Sequence, residues 1–260
     1  MSEPAGAGPR ALLQVAFASR ATTVAQCLLR STDTTPVELV YGLWVLPTDD
    51  GVVLVDTGFD EDVAVRRGIA YHRTPLEALD GVGVAPADVT DVVLTHLHFD
   101  HAGRLDDFPA ARVHVQRADV EFYTGPAMRF PLCASSTEKA DLAALERVRA
   151  DGRLHLLDGS ARVRPGIDLH LVGGHTPGSQ VVQVTVGERS VVLASDVAHV
   201  YENLERAVPF PVLHDLPGCC EAFETVERLA ASGAQVVPGH DGRVMERYPT
   251  AGVPFAVCLL

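Results

Sequence analysis

The sequence has little positive charge, no C-x-x-C cysteine motif and no long apolar run. Its 260 residues include 21 Lys and Arg against 34 Asp and Glu, which gives a net charge of −13 at pH 7. Proteins that bind nucleic acids usually present a basic face, and anionic membranes attract basic surfaces. The acidic balance therefore argues against both partners, and we expect a small-molecule substrate.

The cysteines are few and irregularly spaced. They are Cys27, Cys133, Cys219, Cys220 and Cys258. An odd number without a C-x-x-C pair predicts neither a disulfide framework nor a cysteine zinc site, and reduced thiols are typical of the cytoplasm. Apolar runs stay well below the roughly 20 residues that a membrane span needs. We expect a cytoplasmic protein without a membrane anchor, either a monomer or a homodimer.

The chain reads as one α/β domain behind a short tail. Residues 1–10 (MSEPAGAGPR) are small and rich in Pro and Gly, which predicts a flexible tail. No low-complexity linker divides residues 11–260, so we predict a single domain there. Predicted strands cover residues 37–47, 51–55, 91–95, 112–115, 168–172, 180–186, 190–194 and 235–237. Predicted helices cover residues 74–79, 118–123, 138–149 and about 219–230, and residues 125–137 are predicted to be irregular.

The most specific signal is a string of metal-binding side chains after the predicted strand at residues 91–95. It reads H-x-H-x-D-H and contains His96, His98, Asp100 and His101. Imidazole nitrogens and carboxylate oxygens suit borderline divalent metals. On extended backbone, side chains two residues apart point the same way, so His96 and His98 can bind one ion from one side. A turn after them can direct the next two side chains at a second ion.

Three further candidate ligands follow later strands. His175 lies in a glycine-flanked turn, Asp196 follows a valine-rich strand, and His240 follows the strand predicted at residues 235–237. Each is unremarkable alone. Because strand ends of an α/β sheet are where polar side chains gather, their order after the first string predicts one shared metal site.

With these motifs the sequence resembles the metallo-β-lactamase superfamily. The resemblance implies an αββα sandwich with two divalent metal ions at one edge. Zinc is the metal we expect, with iron or manganese as alternatives. It further implies that Asp56 supports the ligand loop. The implied ligands are His96, His98 and His175 for the first metal, Asp100, His101 and His240 for the second, and Asp196 bridging both.

Within the superfamily, the sequence is most similar to the N-acyl-homoserine-lactone lactonase family. The similar segments are HLHFDHAG at residues 96–103, GHTPG at 174–178, ASD at 194–196, ENLE at 202–205 and PGHD at 238–241. This resemblance implies that hydroxide held between two metals opens a lactone ring, with Asp100 carrying the proton. Where the family has a tyrosine three residues after the bridging aspartate, this chain has His199. His199 and Tyr201 are therefore the candidates for polarising the substrate carbonyl.

Substrate contacts and rival functions are less closely constrained. The aromatic side chains Trp44, Phe99 and Phe130 are candidates for contact with an acyl or aromatic group. A thioesterase of the glyoxalase II type, or another ester hydrolase, shares the implied ligand set. A mononuclear iron persulfide dioxygenase is a redox alternative on the same fold. A binding module without catalysis is disfavoured, since all seven ligand positions are filled.

Overall fold

The computed structural model describes residues 7–260, and most of its strands are rich in Val and Leu. Within that range, the strands are β1 (Leu13–Thr23), β2 (Pro36–Thr48), β3 (Gly51–Val55), β4 (Ala70–Tyr71), β5 (Val89–Val93), β6 (Arg112–Gln116), β7 (Leu154–Leu157), β8 (Ala161–Arg164), β9 (Ile167–Leu171), β10 (Gln180–Val186), β11 (Arg189–Ser195), β12 (Gln235–Pro238) and β13 (Ala256–Cys258).

Helices connect these strands. Within the same residues they are α1 (Val24–Cys27), α2 (Glu61–Arg67), α3 (Pro75–Asp80), α4 (Phe99–Ala102), α5 (Arg117–Tyr123), α6 (Pro131–Ala134), α7 (Lys139–Ala150), α8 (Tyr201–Arg206), α9 (Leu216–Ala231) and α10 (Val244–Arg247), with 3-10 turns at Pro86–Asp88, Leu105–Asp107 and Pro126–Arg129. None of the helices in the described part of the chain has the length and apolarity to cross a membrane.

The strands form two sheets. The first has the order β13-β1-β2-β3-β5-β6-β7 with β4 beside β1, and the second has the order β12-β11-β10-β9-β8. Alternating side chains divide the core into layers, because successive residues of a strand face opposite sides of its sheet. On β10, Val182 and Val184 pack between the sheets, whereas Val181 packs against the residues of α9. On β3, Val53 and Val55 also face the inter-sheet core.

The opposite face of the first sheet packs against α2, α3, α5 and α7 through a separate apolar cluster. The layers therefore run helix, sheet, sheet, helix, and the predicted αββα sandwich is confirmed. The strands β2 and β3 and the helix α3 also follow the prediction. Thr74 accepts a hydrogen bond from the Glu77 N–H and Pro75 occupies the first turn of α3.

Several elements differ from the prediction. Strand β5 ends at Val93, two residues earlier than predicted, so His96 and His98 lie on a loop, whereas His101 lies in α4. The segment predicted to be irregular contains a 3-10 turn and α6. Strands β4, β7, β8 and β13 and helices α1, α2, α4, α8 and α10 were not predicted. Most of these unpredicted elements are short or lie at a sheet edge, where the burial pattern is weak.

The predicted tail is only partly within the described residues. Residues 1–6 lie outside them. Residues 7–10 contact the fold: the Ala7 N–H donates to Asp50 at 2.7 Å, and the Arg10 N–H donates to the Pro47 carbonyl at 2.8 Å. Contacts with the β2–β3 hairpin therefore begin before the predicted boundary at Ala11.

Candidate metal centre

Polar side chains gather where strands of both sheets end. Strands β3 and β5 are parallel neighbours in the first sheet, and β11 and β12 are parallel neighbours in the second. Their carboxyl ends therefore meet at one edge of the sandwich. Asp56 and His96 follow the first pair, and Asp196 and His240 follow the second. The backbone turns sharply at two of these ends, with φ of 63° at Asp56 and 45° at Ser195, both uncommon for residues other than glycine.

One group of ligand atoms consists of three histidines and one aspartate. The ligand atoms of His96, His98, His175 and Asp196 all lie within 4.8 Å of one another, and all four residues are buried. The Nε2 atom of His175 lies 3.2 Å from Oδ2 of Asp196 and 3.0 Å from Nδ1 of His98. The Nε2 atom of His96 lies 3.7 Å from the same Oδ2.

A second group lies on the other side of Asp196. The ligand atoms of Asp100, His101 and His240 are within 4.8 Å of one another. The Nε2 atoms of His101 and His240 lie 3.2 Å and 3.1 Å from Oδ1 of Asp196. Asp196 therefore directs one carboxylate oxygen at each group, as a residue that bridges two ions must.

The residues fit a pair of divalent ions. Ligand atoms bound about 2.0–2.1 Å from a tetrahedral ion are separated by roughly 3.3 Å, close to the spacings around Asp196. The Nε2 atoms of His96 and His101 are buried without a hydrogen bond of acceptable geometry. Unpartnered buried polar atoms are costly in a folded protein, and an ion at the centre of each group satisfies them.

Neighbouring polar groups fix which nitrogen two of these histidines present to the candidate metal sites. The Tyr123 hydroxyl lies 2.8 Å from Nε2 of His98, which leaves Nδ1 facing the first group. Nδ1 of His240 lies 3.2 Å from the Val40 carbonyl oxygen, which leaves Nε2 facing the second group. Such hydrogen bonds fix the tautomer and orientation of metal-binding histidines.

Asp56 fixes the loop that carries the first string. Its carboxylate accepts hydrogen bonds from the Thr95 N–H at 2.8 Å and from the Thr95 hydroxyl at 2.9 Å. Its Oδ2 also lies 2.7 Å from Nδ1 of His101. The side chain is fully buried. Asp56 thus lies where the resemblance implied, directly behind a candidate ligand.

A second buried aspartate links two ligand loops, and no sequence motif singles it out. Asp119 accepts from the Leu97 N–H at 3.0 Å and from the Gly178 N–H at 2.5 Å. Burial raises the pKa of Asp119 to about 6, although both hydrogen bonds act to lower it. A Cβ atom on Gly178 would lie 2.7 Å from the Asp119 nitrogen, so this close approach requires glycine.

The electrostatics of the two groups differ. Burial, together with neighbouring histidines, lowers the pKa of His96 and of His98 well below the usual value. Burial also opposes a charge on His101, but the nearby carboxylates of Asp100, Asp196 and Asp56 raise its pKa well above the usual value. Because imidazole binds metal in its neutral form, the lowered pKa values favour metal binding at the first group, whereas the raised pKa of His101 opposes it at the second.

His199 and Tyr201 have different positions. The Nε2 atom of His199 lies 3.1 Å from Oδ2 of Asp196, and its ring stacks on Phe210 with centroids 3.6 Å apart. Burial lowers the pKa of His199 to about 4. Tyr201 does not line the cavity described below, because its ring packs beside the inter-sheet core under the Arg247 guanidinium, 3.9 Å away. The structure therefore supports His199, and not Tyr201, as a group that can reach a substrate.

A cavity of about 200 Å³ opens over the ligands. Of the three aromatic candidates for substrate contact, only Phe99 lines it. The prediction for Trp44 is wrong, because this side chain is buried between the sheets, where its Nε1–H donates to Gln14 at 3.3 Å. Phe130 is half exposed and lies outside the lining. Sequence reasoning missed the lining residues Arg20, Leu39, Tyr41, Arg67, Ile69, Ser136, Phe210 and Val212.

Comparison with known proteins identifies the family. A family model for the metallo-beta-lactamase superfamily matches residues 39–240, which include every candidate ligand. The chain belongs to this superfamily. An N-acyl homoserine lactonase from a Bacillus species is 30% identical over 190 residues, which cover 67% of this chain and 70% of that protein. The predicted resemblance to the N-acyl-homoserine-lactone lactonases of this superfamily is confirmed.

Solved structures of superfamily members confirm the fold. The crystal structure of a quorum-quenching N-acyl homoserine lactone lactonase has a TM-score of 0.77 at 24% identity and covers 92% of this chain and 95% of its own. AidC, a dizinc quorum-quenching lactonase in complex with a product, has a TM-score of 0.72 at 18% identity and covers 92% and 91%. Over nearly its whole length, the chain therefore has the metallo-beta-lactamase fold.

Proposed function

We propose that this protein is a metal-dependent hydrolase that opens the ring of a lactone such as an N-acyl-homoserine lactone, using two divalent ions. The observation that carries the proposal is the placement of Asp196. Its two oxygens lie 3.1–3.2 Å from histidine nitrogens of two separate groups. The names of the relatives, which are N-acyl homoserine lactonases, support the substrate class.

Seven side chains of the protein would bind the two ions. His96, His98 and His175 would hold one ion, Asp100, His101 and His240 the other, and Asp196 both. When bound, such a pair of ions polarises a carbonyl oxygen and makes water nucleophilic at neutral pH. We propose zinc as the ion, which suits the nitrogen-rich ligand set and the dizinc centre named for AidC.

Proton transfer and carbonyl contact fall to two side chains that line the cavity. The carboxylate of Asp100 faces the second group and lines the cavity. This position supports a role in which Asp100 accepts a proton from water and delivers it to the leaving alkoxide. His199 is neutral near pH 7 because of its lowered pKa, and its single N–H, at the Nε2 atom that lies 3.1 Å from Asp196, would donate to the substrate carbonyl oxygen when the Asp196 carboxylate binds the ions.

The compartment and the substrate's apolar part follow from other features. Five free cysteines support a reducing compartment, and we propose the cytoplasm. Leu39, Ile69, Phe210 and Val212 provide an apolar wall to the cavity. An acyl chain can pack there while the ring carbonyl faces the metal centre.

The test combines metal analysis with a hydrolysis screen over lactones, thioesters and β-lactams. We expect about two equivalents of metal and the fastest turnover with lactones. His98→Ala should lose metal and activity together, whereas Arg228→Gln, on the exposed side of α9, should keep both. A screen in which thioesters are cleaved faster than every lactone would contradict the substrate class and favour a thioesterase. Iron at one equivalent with oxygen uptake would favour the dioxygenase.

A further inference from the structure

Two arginines line the cavity above the metal centre, and their surroundings differ. Arg67 is paired with Glu138, whose Oε1 accepts from Arg67 Nη2 at 2.9 Å and from Nε at 3.3 Å while its Oε2 accepts from Arg66 at 3.0 Å. A further Nη2 hydrogen bond of 3.0 Å reaches the Ser135 carbonyl oxygen. The same guanidinium stacks over Phe99 at 3.8 Å. Arg67 is thus fully engaged as part of the cavity wall.

Arg20 lines the same cavity without such a partner. Within residues 7–260, no carboxylate oxygen lies within 4 Å of its guanidinium, and the side chain is exposed. Its neighbour is the buried Tyr41, whose hydroxyl interacts with Arg20. In a chain with 34 acidic side chains, many arginines are paired, including the deeply buried Arg164. A guanidinium without a carboxylate partner at the mouth of the cavity therefore differs from most arginines of this chain.

The rest of the lining leaves the charge of Arg20 available to a ligand. The lining carboxylates, Asp100 and Asp196, both belong to the metal groups. The other walls are largely apolar, through Leu39, Ile69 and Val212. A guanidinium has five N–H donors and binds carboxylates through two parallel hydrogen bonds. Close to apolar walls, such a pair is less screened than on an open surface.

We propose that Arg20 determines specificity and that the preferred substrate carries an anionic group, such as a carboxylate, on the part of the molecule remote from the ring that is opened. This inference rests on the proposed lactone hydrolysis and adds a charge requirement to it. Arg20 binds the anionic end at the cavity mouth, and the reacting carbonyl lies at the metal centre. Substrate binding at Arg20 then offsets the repulsion that the net charge of −13 imposes on an anion.

The test compares two N-acyl-homoserine lactones of equal chain length, one ending in a carboxylate and one ending in its methyl ester. We expect the metal-loaded protein to have a kcat/KM at least about tenfold higher for the carboxylate, mostly through KM. In Arg20→Gln this ratio should fall to about one, and Arg20→Lys should restore part of it. Arg228→Gln removes the same charge elsewhere and should keep the full ratio. A ratio near one in the unmodified protein, or an unchanged ratio in Arg20→Gln, would overturn the inference.

A binding measurement separates this inference from the proposed function. Glutarate and butyrate both offer one carboxylate to the metal centre, but only glutarate has a second one for Arg20. We expect calorimetry to show tighter binding of glutarate, by about tenfold, and loss of the difference in Arg20→Gln. If no lactone is cleaved but this difference is present, the lactonase proposal fails and the anion site stands. If lactones are cleaved and the two acids bind equally, only the anion site fails.

Discussion

Strand β5 carries one buried polar cluster on its own residues and leads into another just past its end. In the first, Asp91 is fully buried and is surrounded by two arginines and a histidine: Arg164 Nη2 lies 2.6 Å away, Arg112 Nη2 2.8 Å and His114 Nε2 2.9 Å. In the second, the metal centre, histidines surround two carboxylates, and within residues 7–260 no lysine or arginine forms a salt bridge with either of them. Both clusters contain histidine and aspartate, but only the second leaves nitrogens unpartnered.

The difference lies in how each cluster is neutralised. At Asp91 the protein itself provides the positive charge, and the resulting hydrogen bonds hold the pKa of that carboxyl well below its usual range even though burial opposes this. At the metal centre the protein provides lone pairs, so the compensating charge has to come from bound cations. The balance between cationic side chains and lone-pair donors thus distinguishes a structural cluster from a metal centre.

The strongest test of this difference between the clusters is to neutralise the central aspartate of each one. Asp196→Asn should lower kcat by about a thousandfold or more, because the shared ligand of both ions is lost. Metal content, measured by mass spectrometry, should fall in parallel, and added zinc should no longer raise the melting temperature. Asp91→Asn should keep its metal and, at a temperature where it is folded, most of its activity. Loss of metal from Asp91→Asn alone would refute the division between the clusters.

The converse effect is expected on stability. Asp91→Asn removes the main partner of the buried Arg164 and leaves it only the half-exposed carboxylate of Asp50, 3.4 Å away. We expect the free energy of unfolding to fall by about 3–5 kcal/mol, measured by urea denaturation at pH 7. Asp168→Asn, which breaks a more exposed pair with Arg162, serves as the control and should cost about 1 kcal/mol or less. Equal losses in the two variants would show that the Asp91 cluster contributes little.

A smaller effect is expected from the residue behind the metal centre. Asn at position 56 keeps the shape of Asp56 but cannot accept from Thr95 and His101 as a carboxylate does. We expect metal affinity, measured by competition with a chelating dye, to weaken by about 10–100-fold. Asp158→Asn, at an exposed pair with Arg117, should leave affinity unchanged. An Asp56→Asn protein with full affinity would mean that the His101 ring is held by packing alone.

The metal centre could be predicted from the sequence because its ligands are encoded locally. Four candidate ligands occur within six residues, and the other three each follow a strongly apolar strand. The fold class follows from the same strands, since their alternating side chains have to be buried on both faces of a sheet. The resemblance then assigned each ligand to a group, and the distances around Asp196 agree with that assignment.

The cavity wall could not be predicted in this way. Tyr41 and Phe210 lie 169 positions apart in sequence, and only tertiary packing brings both to the cavity. Trp44 shows the opposite error, because a lone aromatic in a strand is equally compatible with the core and with a binding site. Its burial is settled by the partner sheet and by Gln14, which accepts its N–H hydrogen bond. The proposed specificity residue Arg20 could not be selected from sequence motifs either, because only the folded chain brings it to the cavity.

The smallest expected effect concerns a buried carboxyl that neither cluster neutralises. Asp141, in the first turn of α7, has a buried oxygen without a hydrogen bond, and burial raises its pKa from 3.8 to about 7. The folded protein therefore favours the protonated acid, so the free energy of unfolding falls as the pH rises from about 4 to about 7. Asn cannot ionise at this position. We expect Asp141→Asn to be more stable than the unmodified chain by about 1–3 kcal/mol at pH 8.

Urea denaturation of the metal-free protein at several pH values tests this, and the advantage should shrink steadily as the pH is lowered towards 4. Asp151→Asn, at the exposed end of the same helix, is the matched control and should follow the unmodified chain at every pH. A stability difference for Asp141→Asn that does not change with pH would show that the carboxyl keeps its ordinary pKa. In that case Arg66 and Arg67, which favour the charged form, compensate the buried carboxylate much as Arg112 and Arg164 compensate Asp91.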